Sequence, residues 1–318
     1  VRLVFFGTAS FAVPSLQALL RTKHQVLALV TQPDRPKGRG RELTPPPVKE
    51  AAKALKIPIL QPDSLQETEF LEALRSLKPD LAVVVAFGRL LPSPLLQIFP
   101  KGAVNLHASL LPKYRGAAPI QWALIHGETE TGVTIFQIDT LLDHGPILLQ
   151  AKHAIRPEDT AVTLAQSLSS LGSQILLKAL DLIEAGQSQA VPQQESLASP
   201  APRLTKEDGL IDWKNSCVDI RNRIRGVQPW PGAITWIGKE RIKLLSTTAD
   251  LARHDSKASA GTVVLADPQQ GLWIQTGKGQ LRIDRLQREG GDPLEAGAFL
   301  RGHPIPLGTQ LTRSPAVV

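Results

Sequence analysis

Apolar residues in the first half of the chain fall into short unbroken runs separated by segments of helical period. RLVFF (2–6), VLALVT (26–31) and LAVVVAF (81–87) are continuous apolar runs, stopped by Gly7-Thr8, by Gln32-Pro33-Asp34 and by Gly88. Runs of that length without polar alternation predict strands buried on both faces. Phe11, Leu16, Leu19 and Leu20 recur at helical spacing behind Pro14, residues 48–55 and 67–77 read as helices, and IPIL (57–60) reads as a short strand. Residues 104–106, 134–138 and 147–149 are further strand candidates. Strands alternating with helices predict an α/β fold: a mostly parallel sheet with helices on both faces.

The pattern then changes. Residues 160–185 carry Leu164, Leu168, Leu171, Ile175, Leu176, Ala179 and Ile183 at helical spacing and end at Gly186. QSQAVPQQESLASPAPRLTKEDG (187–209) has no period and three prolines, which predicts an exposed linker. Beyond it, Val218, Ile220, Ile224 and Val227 form one helical stripe, with Arg221 and Arg225 on another face. Five short runs follow, AITWIG, RIKLLST, GTVVLA, LWIQTG and LRIDRL (233–286), separated by turn residues; they predict a small antiparallel β-barrel of OB-like type. The expected organisation is a first domain over 1–189, a linker over 190–206 and a β-barrel domain over 207–318.

A chain of 318 residues with 42% hydrophobic and 20% charged residues has material for two packed cores. A single cysteine, Cys217, excludes an internal disulfide framework and a multi-cysteine zinc site. Gly7, Thr8, Ser10 and Pro14 interrupt the first apolar run, so it reads as strand, turn and helix rather than a signal peptide. No run approaches the roughly 20 apolar residues of a membrane helix. GxGxxG, Walker, HExxH and GxSxG patterns are missing, which removes the main support for nucleotide, zinc-protease and serine-hydrolase readings. The net charge is +7, and most of the excess lies from Arg203 onward, where 17 lysines and arginines face 12 aspartates and glutamates. That balance suits either a polyanionic partner or plain solubility.

Candidate chemistry concentrates in residues 104–150. Asn105 and His107 lie two apart at the end of a predicted strand, on one side of the sheet, and Asp143 follows a later strand in a loop bounded by Gly145. The carboxyl ends of strands in an open α/β sheet are where ligands bind. An amide, an imidazole and a carboxylate converging there suit acyl transfer to an amine. The amide stabilises an oxyanion, the imidazole moves the amine proton or, when charged, assists the oxyanion, and the carboxylate fixes the imidazole tautomer or relays the proton through water. From spacing alone the reading of the same residues as turn formers comes first.

The same segment resembles the catalytic core of the folate-dependent formyltransferases: N-x-H-x-SLLP-x-x-RG-x-x-P from Asn105 to Pro119, then GVT (132–134), then D-x-G-P from Asp143. The resemblance implies a Rossmann-like catalytic domain in which Asn105, His107 and Asp143 are the catalytic trio. It implies that Ser109, Leu110, Leu111 and Pro112 bind 10-formyltetrahydrofolate, and that Gly88, Arg89, Leu90, Leu91 and Pro92 form a wall of the pterin pocket. No metal is expected. His144 occupies a variable position of the loop and receives no role. Arg115 in KYRGAAP is left open between an anchor for its loop and a contact with an acceptor phosphate or ribose.

The flanks bear on the acceptor. Residues 31–49 place Arg35, Lys37, Arg39 and Arg41 within seven positions, with Pro36, Gly38 and Gly40 keeping the stretch out of a helix. The segment reads as a solvated loop or as an arm whose cations meet phosphates. It resembles the insertion by which the tRNA-directed members of the family engage the acceptor arm of a charged initiator tRNA. The resemblance continues through Lys206–Trp213 (KEDGLIDW) and the PWPG stretch around Trp230, and implies a tRNA contact at Lys206. Lys239, Arg241 and Lys243 on one predicted strand, and Arg221 with Arg225 on the helix, are two further basic groups that are either contacts or ordinary surface. Trp230 and Trp236 read as packing residues. A monomeric cytosolic enzyme of bacterial type is expected. The alternatives are a sister enzyme acting on a small amine such as an amino sugar, one hydrolysing formyl-folate, and a non-catalytic RNA-binding relative.

Overall fold

The structure is a computed structural model that describes residues 1–37, 42–53 and 57–315. Contacts divide the chain into two units: 1–119, 130–154 and 165–202 form the first, and 120–129, 155–164 and 203–318 form the second.

The first unit is built on a seven-stranded sheet. Its strands are β1 (Arg2–Gly7), β2 (Gln25–Val30), β5 (Ile59–Leu60), β6 (Leu81–Val85), β7 (Ala103–His107), β8 (Glu130–Gln137) and β9 (Ile147–Ala154), in the order β5-β2-β1-β6-β7-β8-β9. The five strands from β5 to β7 pair in parallel, whereas β8 and β9 run antiparallel to their neighbours. The antiparallel pairing of β8 with β9 has a local cause: only residues 138–146, which include Asp143, separate the two strands, too short a connection for a parallel crossover. Two further strands, β3 (Arg35–Lys37) and β4 (Glu42–Thr44), form a separate antiparallel hairpin.

Helices α1 (Val13–Leu19), α2 (Pro47–Ala52), α3 (Thr68–Ser76) and α4 (Ser93–Leu96) fill the early crossovers. Every residue of β6 is buried, as the unbroken run LAVVV requires of a strand covered on both faces. On one face Val4, Phe6, Ala82, Val84 and Ala103 pack with Phe70, Leu71, Leu74 and Leu95 from α3 and α4. Phe6 meets Phe87 and Phe99 edge-on, with ring centroids 5.5 and 6.1 Å apart. On the other face the long helix α6 (Ala161–Glu184) comes so near at Gly172 that a Cβ there would stand 2.7 Å from Leu106. Alternation along β7 puts Leu106 under α6 and leaves Asn105 and His107 on the opposite face.

Two elements begin the second unit: α5 (Pro119–Ile125), which starts at the division, and α7 (Cys217–Gly226). Ser216 caps α7 by accepting from the Asp219 amide at 3.1 Å, with an acid at the third helical position. The strands are β10 (Ala233–Ile237), β11 (Glu240–Asp250), β12 (Val263–Asp267), β13 (Gly271–Gln275), β14 (Gln280–Arg288), β15 (Pro293–Glu295) and β16 (Leu311–Thr312), with helix α8 (Ala296–Gly302) before the last. All pairings are antiparallel, in the order β12-β13-β14-β11-β10-β16, with β15 on β14. Hydrogen bonds from Val263 N to Thr309 O and from Leu311 N to Gly261 O tie the two ends of that order together, so the sheet curls into a barrel. Leu244, Leu272, Ile274, Leu281 and Leu286 are fully buried within this unit.

Candidate active site

The Asn105–His107 pair ends β7 at the carboxyl edge of the parallel strands. Asn105 is half-buried and His107 is buried. The imidazole Nε2 lies 2.8 Å from the Tyr114 carbonyl oxygen, which can only accept, so Nε2 carries a proton. Nδ1 therefore presents its lone pair in the neutral ring, and it faces the Asp143 carboxylate with Oδ2 at 3.7 Å. That separation exceeds a direct hydrogen bond. The Tyr114 carbonyl is thus a partner that fixes the imidazole tautomer, and of the two tasks the sequence offered Asp143, fixing the tautomer or relaying a proton through water, the geometry leaves it the second. A main-chain carbonyl leaves no mark in a sequence.

Asp143 sits in the loop between β8 and β9 with φ at +49°, and its Oδ2 accepts from the Gly116 amide at 2.8 Å. Gly116 has φ at +127°, and a Cβ on it would lie 2.5 Å from the Ala201 carbonyl oxygen, so this position takes only glycine.

The SLLP turn is built from within. Ser109 and Leu111 are buried, and the Ser109 hydroxyl donates to the Lys113 carbonyl at 2.6 Å. Thr134 on β8, fully buried, donates to Ser109 O at 2.7 Å and accepts from Leu111 N at 3.0 Å. The Gln150 side-chain amide donates to Leu111 O at 2.8 Å and to Thr134 Oγ1 at 2.9 Å. Leu110 and Pro112 are partly exposed, so the turn offers them and its main chain, rather than the Ser109 or Leu111 side chains, to a ligand. Thr134 closes the GVT piece of the motif, whereas Gln150 stands in an ordinary strand context that nothing in the sequence singled out.

Gly88 adopts φ +81°, and a Cβ there would fall 2.8 Å from Gln32 Nε2, which itself donates to Phe87 O at 2.8 Å. Arg89 donates to the carbonyls of Pro62 and Asp63 and ties its stretch to the 62–66 loop. Between them opens a cavity of about 410 Å³, lined by Ser64, Leu65, Gln66, Arg89, Leu90, Leu91, Pro92, Ser93 and Thr140. Leu91 is buried and Leu90 exposed, so the wall has one anchored and one free leucine. Among the described residues, no group of three or more His, Cys, Asp or Glu is placed to hold a metal, and no helix is long and apolar enough to cross a membrane.

Arg115 resolves as an anchor. Its guanidinium forks onto Glu195 at 2.7 and 2.9 Å and onto Gln193 Oε1 at 2.8 and 3.1 Å. The same pairing with Arg115 holds the Glu195 carboxyl below its ordinary range. The stretch predicted as an exposed linker is therefore hydrogen-bonded to the site loops over 191–201.

The chain matches the formyl transferase family model over residues 1–180 and the formyl transferase C-terminal domain model over 203–304. The chain belongs to the formyl transferase family. This formyltransferase is 47% identical over 311 residues to the methionyl-tRNA formyltransferase of Pelotomaculum thermopropionicum, covering 98% of each chain. It is 46% identical to that of Syntrophus aciditrophicus, covering 98% of this chain and 99% of the relative. Among solved structures, an N-formyltransferase from Helicobacter canadensis, in complex with folinic acid and dTDP-3-aminofucose, superposes with a TM-score of 0.67 at 21% identity, covering 91% and 99% of the two chains. HypX from Aquifex aeolicus, in complex with tetrahydrofolic acid, gives 0.61 at 17% identity, covering 94% of this chain and 46% of that one. These two likenesses show the shared fold.

The basic residues divide by environment. Arg35 is exposed on the β3–β4 hairpin, and Lys37 lies at the end of β3. Arg39 and Arg41 lie outside the described residues. Lys206 is exposed before a short turn at Glu207–Gly209. Arg221 and Arg225 are not a free patch. Arg225 donates to the carbonyls of Arg156, Pro157 and Asp159, and Arg221 to that of Pro157, so their charge is spent on main chain. Lys239 falls in the turn before β11 and not on the strand, while Arg241 pairs with Glu289 at 3.3 Å. Trp230, read as a packing residue, is 53% exposed, because the prolines on both sides and Gly232 turn the chain outward there.

Proposed function

We propose that this formyltransferase moves the formyl group of 10-formyltetrahydrofolate onto the α-amino group of methionyl-initiator tRNA. The acceptor is supported by the near-full-length similarity to methionyl-tRNA formyltransferases. The chemistry rests on one observation: His107 is pinned through Nε2 to a carbonyl, with Nδ1 turned to Asp143, two residues from Asn105 at the strand end.

In this reading the amine nitrogen attacks the formyl carbon and the carbonyl electrons move to oxygen. The Asn105 amide donates to that oxyanion. Nδ1 of His107 takes a proton from the attacking nitrogen, and Asp143 steadies the imidazolium formed. The C–N10 bond then breaks, N10 gains a proton, and tetrahydrofolate leaves with N-formylmethionyl-tRNA as the other product. The cavity between 64–66 and 89–93 suits the flat ring of the folate, with the SLLP turn supplying main-chain contacts. We assign the reaction to residues 1–189, tRNA holding to 207–318 with Lys206, and the connection to 190–206. Arg35, Lys37, Arg39 and Arg41 form an arm for the acceptor's phosphates. The enzyme acts as a monomer in the cytosol, where both substrates are found.

The test is transfer of labelled formyl from 10-formyltetrahydrofolate to charged initiator tRNA, with elongator methionyl-tRNA, free methionine and an amino sugar nucleotide as parallel acceptors. Label on the initiator species alone supports the reading, and label on the sugar alone supports the sister enzymes. Asn105→Ala should lower kcat by roughly 10²–10³-fold, the effect of losing one oxyanion donor, and His107→Ala by roughly 10²–10⁴-fold, the effect of losing a positioned proton acceptor, with tRNA affinity little changed in both. Normal turnover in either variant removes its residue from the mechanism.

A further inference from the structure

Asp143 is held from two sides, and neither of them is its own loop. Its carboxylate accepts from Gly116 N at 2.8 Å. Its main-chain carbonyl and that of Gly145 both accept from a single group, the Gln193 side-chain amide, at 2.9 and 2.8 Å. Gln193 is fixed in turn, because its Oε1 takes the Arg115 Nε and Nη2 donors while Glu195 takes the rest of the fork. The main chain repeats the arrangement. Arg115 N donates to Ser199 O at 2.8 Å, Ala201 N to Arg115 O at 2.6 Å, and Val191 exchanges two bonds with Ile147 at 2.7 and 2.9 Å. Residues 191–201 thus staple together the two loops that carry the tautomer-fixing Tyr114 carbonyl and the Asp143 carboxylate.

A primary amide suits this post chemically. Its two N–H donors meet two carbonyls, and its oxygen meets the guanidinium. A carboxylate of the same shape would keep the Arg115 contact and lose both donors. Asp143 occupies the left-handed region at φ +49°, a backbone state that a non-glycine residue holds when its surroundings over-determine it. The two Gln193 bonds are part of that determination.

We propose that Gln193, locked by Arg115 and Glu195, is a positioning residue that keeps the Asp143 carboxylate opposite His107. This rests on the reading of His107 and Asp143 as reacting groups, and the experiment separates the two. Steady-state kcat and both KM values are measured for the full chain with Gln193→Glu, Gln193→Ala and Asp143→Asn, together with the Gly116 amide resonance and the thermal midpoint. The expected result is a ten- to hundredfold fall in kcat for both Gln193 variants, with KM values within about twofold and midpoints close to the parent. The Glu variant should be as impaired as the Ala variant, because the donors and not the side-chain volume are what matter. The Gly116 amide should move towards its position in Asp143→Asn, where its acceptor is altered directly. Parent-like kcat in Gln193→Glu beside an inactive Asp143→Asn overturns the positioning role and leaves the site reading standing. Losses in Gln193→Glu that appear as raised KM or a lowered midpoint mark a merely structural contact and also overturn it. An unimpaired Asp143→Asn removes the site reading and this inference with it.

Discussion

Thr134 shows how much one buried hydroxyl can organise. It closes a three-way junction with Ser109 O, Leu111 N and the Gln150 amide beneath the SLLP turn. Valine has the same shape and none of the bonds, and an unpaired buried polar group costs about 1–3 kcal/mol. Thr134→Val should therefore lower the thermal midpoint by a few degrees and raise the KM for the folate substrate more than it lowers kcat. A calorimetric scan beside a folate titration checks both. Gly116 is as constrained, but for a steric reason visible only once Ala201 is seen against it.

At the scale of elements, the β3–β4 hairpin is a short arm with a well-built root. The Lys49 ammonium meets both Asp34 oxygens at 2.8 and 2.9 Å and Gln61 Oε1 at 2.7 Å, and Gln61 donates back to Asp34 and to Gln32 O. The Gln61 hydrogen bond, followed by the Lys49 contact, holds the Asp34 carboxyl below its ordinary value. A carboxyl lowered in the folded state contributes its stability above the unfolded value and loses it as pH falls through the folded one, so the root persists until well into acid. The same basic stretch of sequence carries Arg39 and Arg41. The double variant Arg39→Ala, Arg41→Ala should weaken tRNA binding, reduce the slope of log K against log salt by roughly one to two, and leave single-turnover kcat at saturating tRNA unchanged. Binding measured across a salt series decides it, and an unchanged slope would return the arm to ordinary surface.

For the whole molecule, the division of the chain is not a single cut. Residues 120–129 and 155–164 group with 203–318. Gly226 on α7 would place a Cβ 2.7 Å from Ile125 Cγ1, and Arg225 spends its donors on the carbonyls of Arg156, Pro157 and Asp159. A fragment of residues 203–318 alone should therefore uncover the Gly226 end of α7, leave Arg225 without these acceptors, and bind a hydrophobic dye that the full chain does not bind. A fragment melting as cooperatively as the full chain, without dye binding, would contradict this account.

What the sequence determined by itself was set by local pattern: the buried strands, from their unbroken apolar runs, and five of the seven barrel strands, from short alternating runs between turns, β15 and β16 being too short to carry a pattern; the motif spacing also put forward Asn105, His107 and Asp143 as candidates. The tertiary structure decided what depends on residues far apart in sequence. It assigned the His107 proton through a main-chain carbonyl, made Arg115, Arg221 and Arg225 anchors instead of free cations, and turned the stretch around Gln193 from a linker into a clamp on the Asp143 loop. The reason is physical: a side chain's charge and donors are visible in its type, but where they are spent depends on which carbonyls and carboxylates the fold brings within 3 Å.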